Sequence, residues 1–375
     1  MAIDICIRGS GVVGMGAAVL LARDRVRVGL VQSKAPAGPD IRAFALNAAS
    51  KNLLESLRAW PAGAACAVQH MQVHGDDGGV VVFDAPADAS TDGLAWIVDA
   101  AALEASLQQA LHYAPSVELL AQPQQAALTL ICEGRGSTSR AALGIAQERI
   151  GYGQQAIAAQ IQCDLPHGQT ARQWFAGGEV LALLPRTSEL GNSVALVWSV
   201  HDDHAKELLA MTDAQFCSAL HAACAGALGG MALLSARAVW PLQVASAQRW
   251  VGEAHADTGI AGSWALAGDA AHTVHPLAGQ GLNLGLADIA CLASILTGKE
   301  YFRSYGDMRL LRRYERARAA DVAALRQATD GLQRLFAHSD ARVQSLRNWG
   351  LNGFNQLKPL KNWVMQRAMA VPIAQ

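Results

Sequence analysis

The sequence predicts a mixed α/β (α+β) protein in which a Rossmann-type nucleotide-binding domain carries an inserted sheet-rich domain and is followed by C-terminal helices. Three observations predict this class. Residues 3–31 have the pattern of a strand, a glycine-rich turn, a helix and a second strand. Strand-like patterns recur over residues 157–199 and 236–251, with a helical segment over residues 212–226 between them, and residues 68–83 have the pattern of a hairpin around residues 76–79. Small residues and glycine return at residues 264–285, and helices of mixed charge end the chain.

The composition is that of an ordinary globular protein. A chain of 375 residues with 51% hydrophobic residues can bury a large core, and its length favours two domains over one. A net charge of -1 gives no field that attracts nucleic acid, and seven scattered cysteines without a C-x-x-C pair fit neither a disulfide framework nor a zinc site. Asp4 and Arg8 interrupt the first apolar stretch, which argues against a secretory signal. We therefore expect a cytoplasmic protein that binds neither metal nor nucleic acid.

The first predicted strand ends in a turn with the G-x-G-x-x-G spacing, residues 9–14. Such glycines permit a tight turn and let the pyrophosphate of a dinucleotide approach the N-terminus of the following helix. Because the motif lies between a strand and a helix, a dinucleotide site is favoured over a plain glycine turn. The cofactor-binding residues predicted here are Gly9, Gly11, Val12, Val13 and Gly14.

Two positions of this unit depart from the usual pattern. The second strand ends in Gln32, where an Asp or Glu is expected to accept hydrogen bonds from ribose hydroxyls. The Gln32 amide oxygen can accept but carries no charge, so we predict that it binds the cofactor more weakly. Arg8 occupies a strand position that is normally apolar, which indicates a strand end open to solvent.

The most specific stretch is GDAAHTVHPLAGQGLNLGLAD, residues 268–288. An apolar strand delivers Asp269 at its end, where a carboxylate can hold a hydroxyl group of a sugar chain. Pro276 stiffens the loop that follows. Gly279, Gln280 and Gly281 let the backbone amides at a helix start approach a flat polar ring, where they would stabilise negative charge.

This stretch resembles the second FAD signature of the aromatic hydroxylases, in the form carried by the ubiquinone-biosynthesis hydroxylases of the para-hydroxybenzoate-hydroxylase-like (class A) family. The resemblance extends over essentially the whole chain. It implies that Pro276, Gly279 and Gln280 act in catalysis. The FAD-binding residues that it implies in this stretch are Gly268, Asp269, Gly281, Leu282 and Asn283.

Two further segments carry the resemblance. ICEGRGSTSRAALGI, residues 131–145, is similar to the family's Asp-Gly segment, which serves both FAD and the nicotinamide cofactor; here the acid is Glu133, followed by Gly134. Arg140 matches the family's arginine. The stretch IRAFALNAASKNLLESLRAW has apolar residues at helical spacing and is similar to the family's arginine-bearing helix near the flavin, with Arg42 in the matching place.

The resemblance implies an FAD-dependent monooxygenase. NAD(P)H would reduce the flavin, dioxygen would add to give a flavin hydroperoxide, and one oxygen atom would pass to the ring of a polyprenylated phenol on the way to ubiquinone. Three alternatives stay open: a hydroxylase of a small soluble phenol or benzoate, a flavin reductase or oxidase that transfers no oxygen, and a non-catalytic scaffold of a biosynthetic complex that binds FAD weakly or not at all. His272 and His275 are expected to pack or hydrogen-bond in the loop, because flavin hydroxylation needs no metal and not necessarily a protein base.

We expect a discontinuous FAD-binding domain, a sheet-rich substrate domain and a C-terminal helical region. The FAD-binding domain is assigned to residues 1–67, 90–150 and 255–300, the substrate domain to 68–89 and 151–254, and the helical region to 301–375. The residues from 341 onwards contain five basic side chains, no acidic one and several large apolar ones. This composition fits helices that contact the inner face of a membrane or a biosynthetic complex, and equally a cap that packs on the domain.

Overall fold

The computed structural model of the chain describes residues 3–32, 40–75, 78–85, 93–254, 259–274 and 280–337, with side chains described up to residue 324 in the last helix. The strands, in chain order, are β1 (Ile5–Arg8), β2 (Val28–Val31), β3 (Ala43–Leu46), β4 (Ala65–Val68), β5 (His70–His74), β6 (Val80–Asp84), β7 (Ala95–Asp99), β8 (Val117–Leu120), β9 (Leu128–Ile131), β10 (Gln147–Cys163), β11 (Thr170–Ala176), β12 (Glu179–Arg186), β13 (Ser193–His201), β14 (Met231–Leu233), β15 (Ala238–Ala247), β16 (Val251–Glu253), β17 (Ser263–Leu266) and β18 (His272–Thr273). The helices are α1 (Val12–Arg23), α2 (Ala48–Ser56), α3 (Ala100–His112), α4 (Thr138–Ala142), α5 (Asp202–Ala210), α6 (Asp213–Ala223), α7 (Gly281–Thr297) and α8 (Met308–Ala337).

The first sheet has six strands in the order β16-β17-β9-β1-β2-β8. β1 pairs in parallel with β2 and β9, and β17 pairs in parallel with β9, whereas β16 is an antiparallel edge strand. Strands such as Leu128–Ile131 are buried along their whole length, as expected for a parallel sheet covered on both faces. α1 and α7 contribute to the same core as β1 and β17. The predicted Rossmann-type domain is confirmed.

The second sheet has nine strands, with β18-β15-β10-β13-β12-β11-β5-β6 as its main path and β14 paired to β10. The predicted hairpin around residue 77 is present, since β5 and β6 pair antiparallel. α5 and α6 cover one face, where Phe216 and Leu220 pack among alternate residues of β10 and β13 such as Ile157 and Trp198. α6 begins where a capping box joins Thr212 to Gln215.

A three-stranded sheet of β3, β7 and β4 was not predicted and corrects the interpretation of residues 41–60. Arg42 does not lie on a helix: residues 43–46 form β3, which pairs with β7. The helix begins only at Ala48, because the Asn47 side chain accepts from the backbone N–H of Ser50 and caps it there. The prediction of a helix is therefore wrong over β3, a four-residue strand of apolar residues whose sequence does not distinguish it from a helix.

The predicted domain boundaries stay a prediction, and several strands cross them. β10 starts at Gln147, ahead of residue 151, and β18 joins the nine-stranded sheet from within the stretch assigned to the FAD-binding domain. β18 does so through the pairs Ala245–Thr273 and Ser246–His272. The chain thus passes from the six-stranded sheet at β17 to the nine-stranded sheet within a few residues.

The C-terminal region begins with α8, a helix of 30 residues. Residues 338–375, where the basic and apolar residues concentrate, lie outside the described residues. Among the helices that are described, none combines the length and the apolar composition that a membrane span requires.

A buried charged network fixes α8 and α7 to the turn after β17. The Asp288 carboxylate is fully buried and accepts from the Gly268 backbone N–H at 2.9 Å, from His272 Nε2 at 2.7 Å and from Arg318 Nε at 2.8 Å. The His272 ring lies 4.9 Å from the Trp250 ring. Burial alone would raise the pKa of Asp288, but the charges and hydrogen bonds of His272 and Arg318 hold this pKa below its usual value.

Replacement of Arg318 by Met should lower the free energy of unfolding by about 3 kcal/mol, because it leaves the buried Asp288 carboxylate without its guanidinium partner. Chemical denaturation of the two proteins measures this loss. Arg316→Met, at an exposed position of the same helix, is the matched control and should stay within about 0.5 kcal/mol of the parent. Equal stability of the two variants would show that the Arg318–Asp288 pair contributes nothing.

Candidate cofactor and active site

The glycine turn after β1 contains glycines with two different functions. Gly9 has a φ of 106°, and a Cβ atom added to Gly14 would lie 1.8 Å from the Gly9 carbonyl oxygen. These two glycines are required by the close packing of the turn itself. A Cβ atom at Gly11 would meet nothing within 4 Å. Gly11 therefore leaves open space in front of α1.

The N-terminus of α1 is suited to an anion. Gly11 is its N-cap, no side chain caps the helix, and the first turn contains no acidic residue. The N–H groups of a first helical turn have no acceptor within the helix, and the helix dipole is positive there. The open space at Gly11 and these N–H groups fit the pyrophosphate of FAD. Val12 is buried and Val13 packs on the neighbouring loop, so these two side chains support the turn.

Asp269 lies in a short turn, Gly268–Ala270, directly after β17. Gly268 has a φ of 61° and contacts the Val13 side chain, which brings this turn against α1. The Asp269 carboxylate is 35% exposed and lies 3.3 Å from Arg135 Nε. An accessible carboxylate beside the start of α1 can accept hydrogen bonds from ribityl hydroxyl groups. The predicted role of Asp269 is sterically possible at this position and stays a prediction.

The start of α7 adjoins the same turn. A Cβ atom at Gly281 would lie 3.9 Å from Asp269 Oδ1, and Gln280 is the N-cap of the helix. Leu282 is half-buried and packs on the core between α1 and the six-stranded sheet. The N–H groups of this second helix start therefore lie beside Asp269, where they can face a flavin.

Asn283 was predicted to bind FAD, but its side chain makes hydrogen bonds to other segments of the protein. Its Nδ2 donates to the Ala45 carbonyl at 2.9 Å. Its Oδ1 accepts from the Asn47 backbone N–H at 3.1 Å and from Ser50 Oγ at 2.7 Å. Asn283 thereby joins α7 to β3 and α2. Its side chain orients the helix start, which leaves its backbone for any direct contact with the cofactor.

Glu133 follows β9 and turns towards α4. Its carboxylate accepts from Ser137 Oγ at 2.7 Å, from the Ser139 backbone N–H at 2.9 Å and from Ser139 Oγ at 2.7 Å. Gly134, with a φ of 75°, makes the turn that follows, and a Cβ atom there would meet nothing within 4 Å. The open position at Gly134 resembles that at Gly11. Glu133 therefore shapes the turn, and Gly134 leaves room beside it.

Arg140 and Arg135 connect this turn with the one that contains Asp269. The buried Arg140 guanidinium donates to the Ala270 carbonyl at 2.9 Å and to the Arg135 carbonyl at 2.8 Å. Arg135 in turn contacts Asp269. Sequence reasoning did not single out Arg135, although an arginine directly after an Asp-Gly-like pair is a usable signal for a phosphate-binding group.

Arg42 and Gln32 lie at the rim of the site. Arg42 forms a two-pronged ion pair with Asp40, and the negative charge of Asp269 is among those that raise the pKa of Arg42, after its hydrogen bonds to Asp40. Gln32 is exposed at the end of β2, and its backbone N–H donates to the Leu120 carbonyl. Both side chains can reach solvent at the rim of the candidate cofactor site.

Two predicted site residues and one histidine of the same loop are not described. Pro276, Gly279 and His275 lie outside the described residues. Gln280 is described and largely buried at the start of α7. His272, which was expected to pack, is buried and bonded to Asp288, as described above. The roles of Pro276, Gly279 and Gln280 in catalysis stay predictions.

The structure thus brings together the turn at Gly11, the turn at Glu133, the carboxylate of Asp269 and the start of α7. Comparisons with known proteins identify the family of the chain. Residues 87–329 match the FAD-binding domain family. The chain is 30% identical to the ubiquinone hydroxylase UbiL of Rhodospirillum rubrum, covering 98% of this chain and 89% of that protein. It is 29% identical to the 3-demethoxyubiquinol 3-hydroxylase of Escherichia coli, covering 98% of each.

Solved structures show the same fold. The p-nitrophenol 4-monooxygenase PnpA from Pseudomonas putida superposes with a TM-score of 0.76 at 17% identity, covering 98% of each chain. PqsL from Pseudomonas aeruginosa, solved in complex with 2-aminobenzoylacetate, superposes with a TM-score of 0.73 at 20% identity, covering 93% of this chain and 100% of that one. At these identities the likeness establishes the architecture.

Replacement of Gly11 by Phe should abolish FAD binding and leave the protein folded, because the side chain would fill the space in front of α1 without meeting protein atoms. Flavin content after purification and thermal unfolding of the flavin-free proteins measure the two effects. Gly63→Phe, at a glycine that also has open space, is the control and should keep its flavin. Normal flavin content in Gly11→Phe would exclude pyrophosphate binding at this turn.

Replacement of Asp269 by Ala should weaken FAD binding by about ten-fold or more, because it removes a charged hydrogen-bond acceptor. The residue is partly exposed, so stability of the flavin-free protein should change little. Titration of the flavin-free proteins with FAD gives the dissociation constants. Asp203→Ala, which removes an equally simple exposed ion pair elsewhere, should bind FAD like the parent. An unchanged dissociation constant for Asp269→Ala would contradict its assigned role.

Proposed function

We propose that this chain, which belongs to the FAD-binding domain family of FAD-dependent monooxygenases, hydroxylates the aromatic ring of a polyprenylated phenol in ubiquinone biosynthesis. NAD(P)H would be the reductant and dioxygen the second substrate. Both relatives compared above carry names of hydroxylases that act on ubiquinone or its precursors. The observation that supports the choice of substrate is the chemistry of the sheet face that borders the site.

This face is the side of the nine-stranded sheet opposite α5 and α6. Residues paired across antiparallel strands point to the same face, so the registers define its members. The pairs Ala158–Val197 and Ala182–Val197 lie on it. Most of its central residues are small: Ala156, Ala158, Ala182, Ala195, Val197 and Ser199. The centre of this face, termed the apolar floor, therefore consists mainly of small and largely buried side chains, with Gln160 among them, and it suits an apolar substrate better than a charged one.

Contacts at two places connect this face with the segments of the candidate cofactor site. Leu184 and Ala171 on this face pack with Ile97 of the three-stranded sheet. β3 of that small sheet is bonded to the start of α7 through Asn283, and β18 joins β15 at the edge of the nine-stranded sheet. Both ends of the apolar floor are therefore connected to the segments that adjoin Asp269.

Charge on this face separates the proposed substrate from a small benzoate. Over β12, β13 and residues 154–162 of β10, Arg186 is the single Lys, Arg, Asp or Glu side chain that the register places there. Asp99 neutralises it through two hydrogen bonds of 2.9 and 2.7 Å. A carboxylate-bearing substrate would need an uncompensated cation, because desolvating an unpaired charge is costly. An uncharged phenol with an apolar tail has no such need.

In this reaction, FAD and different groups of residues would have different roles. When bound, FAD supplies the activation of dioxygen. Gly11 and the N–H groups of α1 would hold the pyrophosphate, and Asp269 would hold the ribityl chain. The start of α7 would place positive dipole ends beside the flavin ring. The apolar sheet face would position the aromatic ring and exclude water.

A non-catalytic scaffold is less well supported. The residues that favour this alternative are Arg8, Gln32 and Glu133, because they depart from the usual sequence pattern. The open space at Gly11 and Gly134, the accessible Asp269 and the uncapped start of α1 are all retained, and each is what a bound FAD requires. A scaffold without FAD would have no use for them.

The proposed substrate also suggests where the protein works. A polyprenyl tail partitions into the bilayer, so the enzyme would act in the cytoplasm at the inner face of the membrane or receive its substrate from a ubiquinone-biosynthesis complex. The basic residues beyond 341 would favour an anionic membrane surface.

The function is tested by incubating the flavin-containing protein with NADPH or NADH, labelled dioxygen and prenylphenols of increasing tail length. We expect a product heavier by one labelled oxygen, with kcat/KM rising as the tail lengthens because each methylene buried adds about 0.8 kcal/mol. 4-Hydroxybenzoate is the comparison substrate and should give no product. Faster turnover of 4-hydroxybenzoate would favour the small-phenol alternative, and a protein that cannot bind FAD would favour the scaffold.

A further inference from the structure

Arg8 contributes a charged side chain to a region that a parallel sheet normally fills with apolar residues. It is the last residue of β1 and directly precedes Gly9. Its side chain is partly buried and engaged, which corrects the expectation of a strand end simply open to solvent. Arg8 Nη1 donates to Ser139 Oγ at 3.1 Å and Nη2 donates to the Gly259 carbonyl at 2.9 Å.

The Ser139 hydroxyl connects Arg8 with Glu133. It accepts from Arg8 and donates to Glu133 Oε1 at 2.7 Å. Burial alone would raise the pKa of Glu133, but the hydrogen bonds from Ser137 and Ser139 and the positive charge of Arg8 hold this pKa below its usual value. The guanidinium and the carboxylate are therefore coupled through one hydroxyl group.

We propose that Arg8 is a positioning residue for FAD binding: its charge holds the Glu133 carboxylate against α4, away from the pyrophosphate site. The two turns are adjacent, since a Cβ atom on Gly9 would lie 2.9 Å from the Glu133 backbone nitrogen. A free carboxylate so near would repel the cofactor's phosphates in a partly dry environment. The unusual Arg8 and the unusually long acid at 133 thus form one compensated pair.

The pair of Arg8 and Glu133 also determines the position of Arg140, which contacts the turn beside Asp269. Ser137 Oγ both donates to Glu133 and accepts the Arg140 backbone N–H, so the carboxylate fixes the start of α4. Arg140 then reaches the Ala270 carbonyl beside Asp269. Loss of Arg8 would therefore loosen both turns that face the cofactor.

The inference rests on FAD binding at the proposed site, and it is tested by the dissociation constant of FAD for a set of variants of the full chain. Arg8→Leu should weaken binding by about ten-fold or more, the size expected for losing a charged hydrogen-bond partner. Arg8→Lys keeps the charge and should recover part of this loss. Arg8→Leu/Glu133→Gln should bind more tightly than Arg8→Leu alone, because the uncompensated carboxylate is gone.

Ser139→Ala provides a milder variant that removes the bridging hydroxyl and keeps both charges; it should also weaken FAD binding. Arg23→Leu is the matched control, since Arg23 donates to Ser56 Oγ at 3.1 Å on the surface, and it should bind FAD like the parent. Binding by the double variant that is no tighter than that of Arg8→Leu, or parental binding by Arg8→Leu and Ser139→Ala, would overturn the inference. A parent protein that binds FAD but yields no hydroxylated product would refute the proposed function and leave this pair intact.

Discussion

The carboxylate of Asp288 is the group on which the arrangement of the site depends. It is buried without access to water and must therefore be compensated by partners inside the protein. Its three partners come from three segments: the Gly268 backbone from the turn after β17, His272 from β18, and Arg318 from α8. Each partner satisfies the charge only in one geometry. The cost of an unpaired buried charge thus fixes α7, α8 and the Asp269 turn relative to one another.

The candidate cofactor site is formed where glycines let backbone segments approach one another closely. Gly9 and Gly14 allow the turn after β1 to fold against β9, while Gly268 and Gly285 accept the Val13 side chain between α1 and α7. Helix starts need fixed positions to bind an anion well, because their N–H groups cannot adjust independently. Asn283 supplies that fixation for α7 by bonding it to β3 and α2.

Sequence reasoning anticipated the elements that have strong local signals. The strand–glycine turn–helix unit at the N-terminus, the hairpin of β5 and β6 and the Thr212-capped helix could be recognised because turn and cap residues mark their ends. The three-stranded sheet could not, since β3 is four residues long and only its pairing with β7 defines it. Arg135 and the partners of Arg8 were missed for a related reason. Their contacts join residues more than 130 positions apart, and no local pattern encodes such a pairing.

The short strand β18 connects the two large sheets, which have different functions. In the proposed function, the six-stranded sheet presents glycine turns and helix starts to a charged cofactor, whereas the nine-stranded sheet offers the apolar floor. Chemistry between cofactor and substrate requires that these surfaces keep a fixed separation. β18 pairs with β15 only a few residues after Asp269, and His272 of the same strand is bonded to Asp288. The ladder hydrogen bonds of β18 and the buried charge of Asp288 therefore act on one segment. A shift of either sheet would break both, which makes the distance between flavin turn and apolar floor a property of the fold.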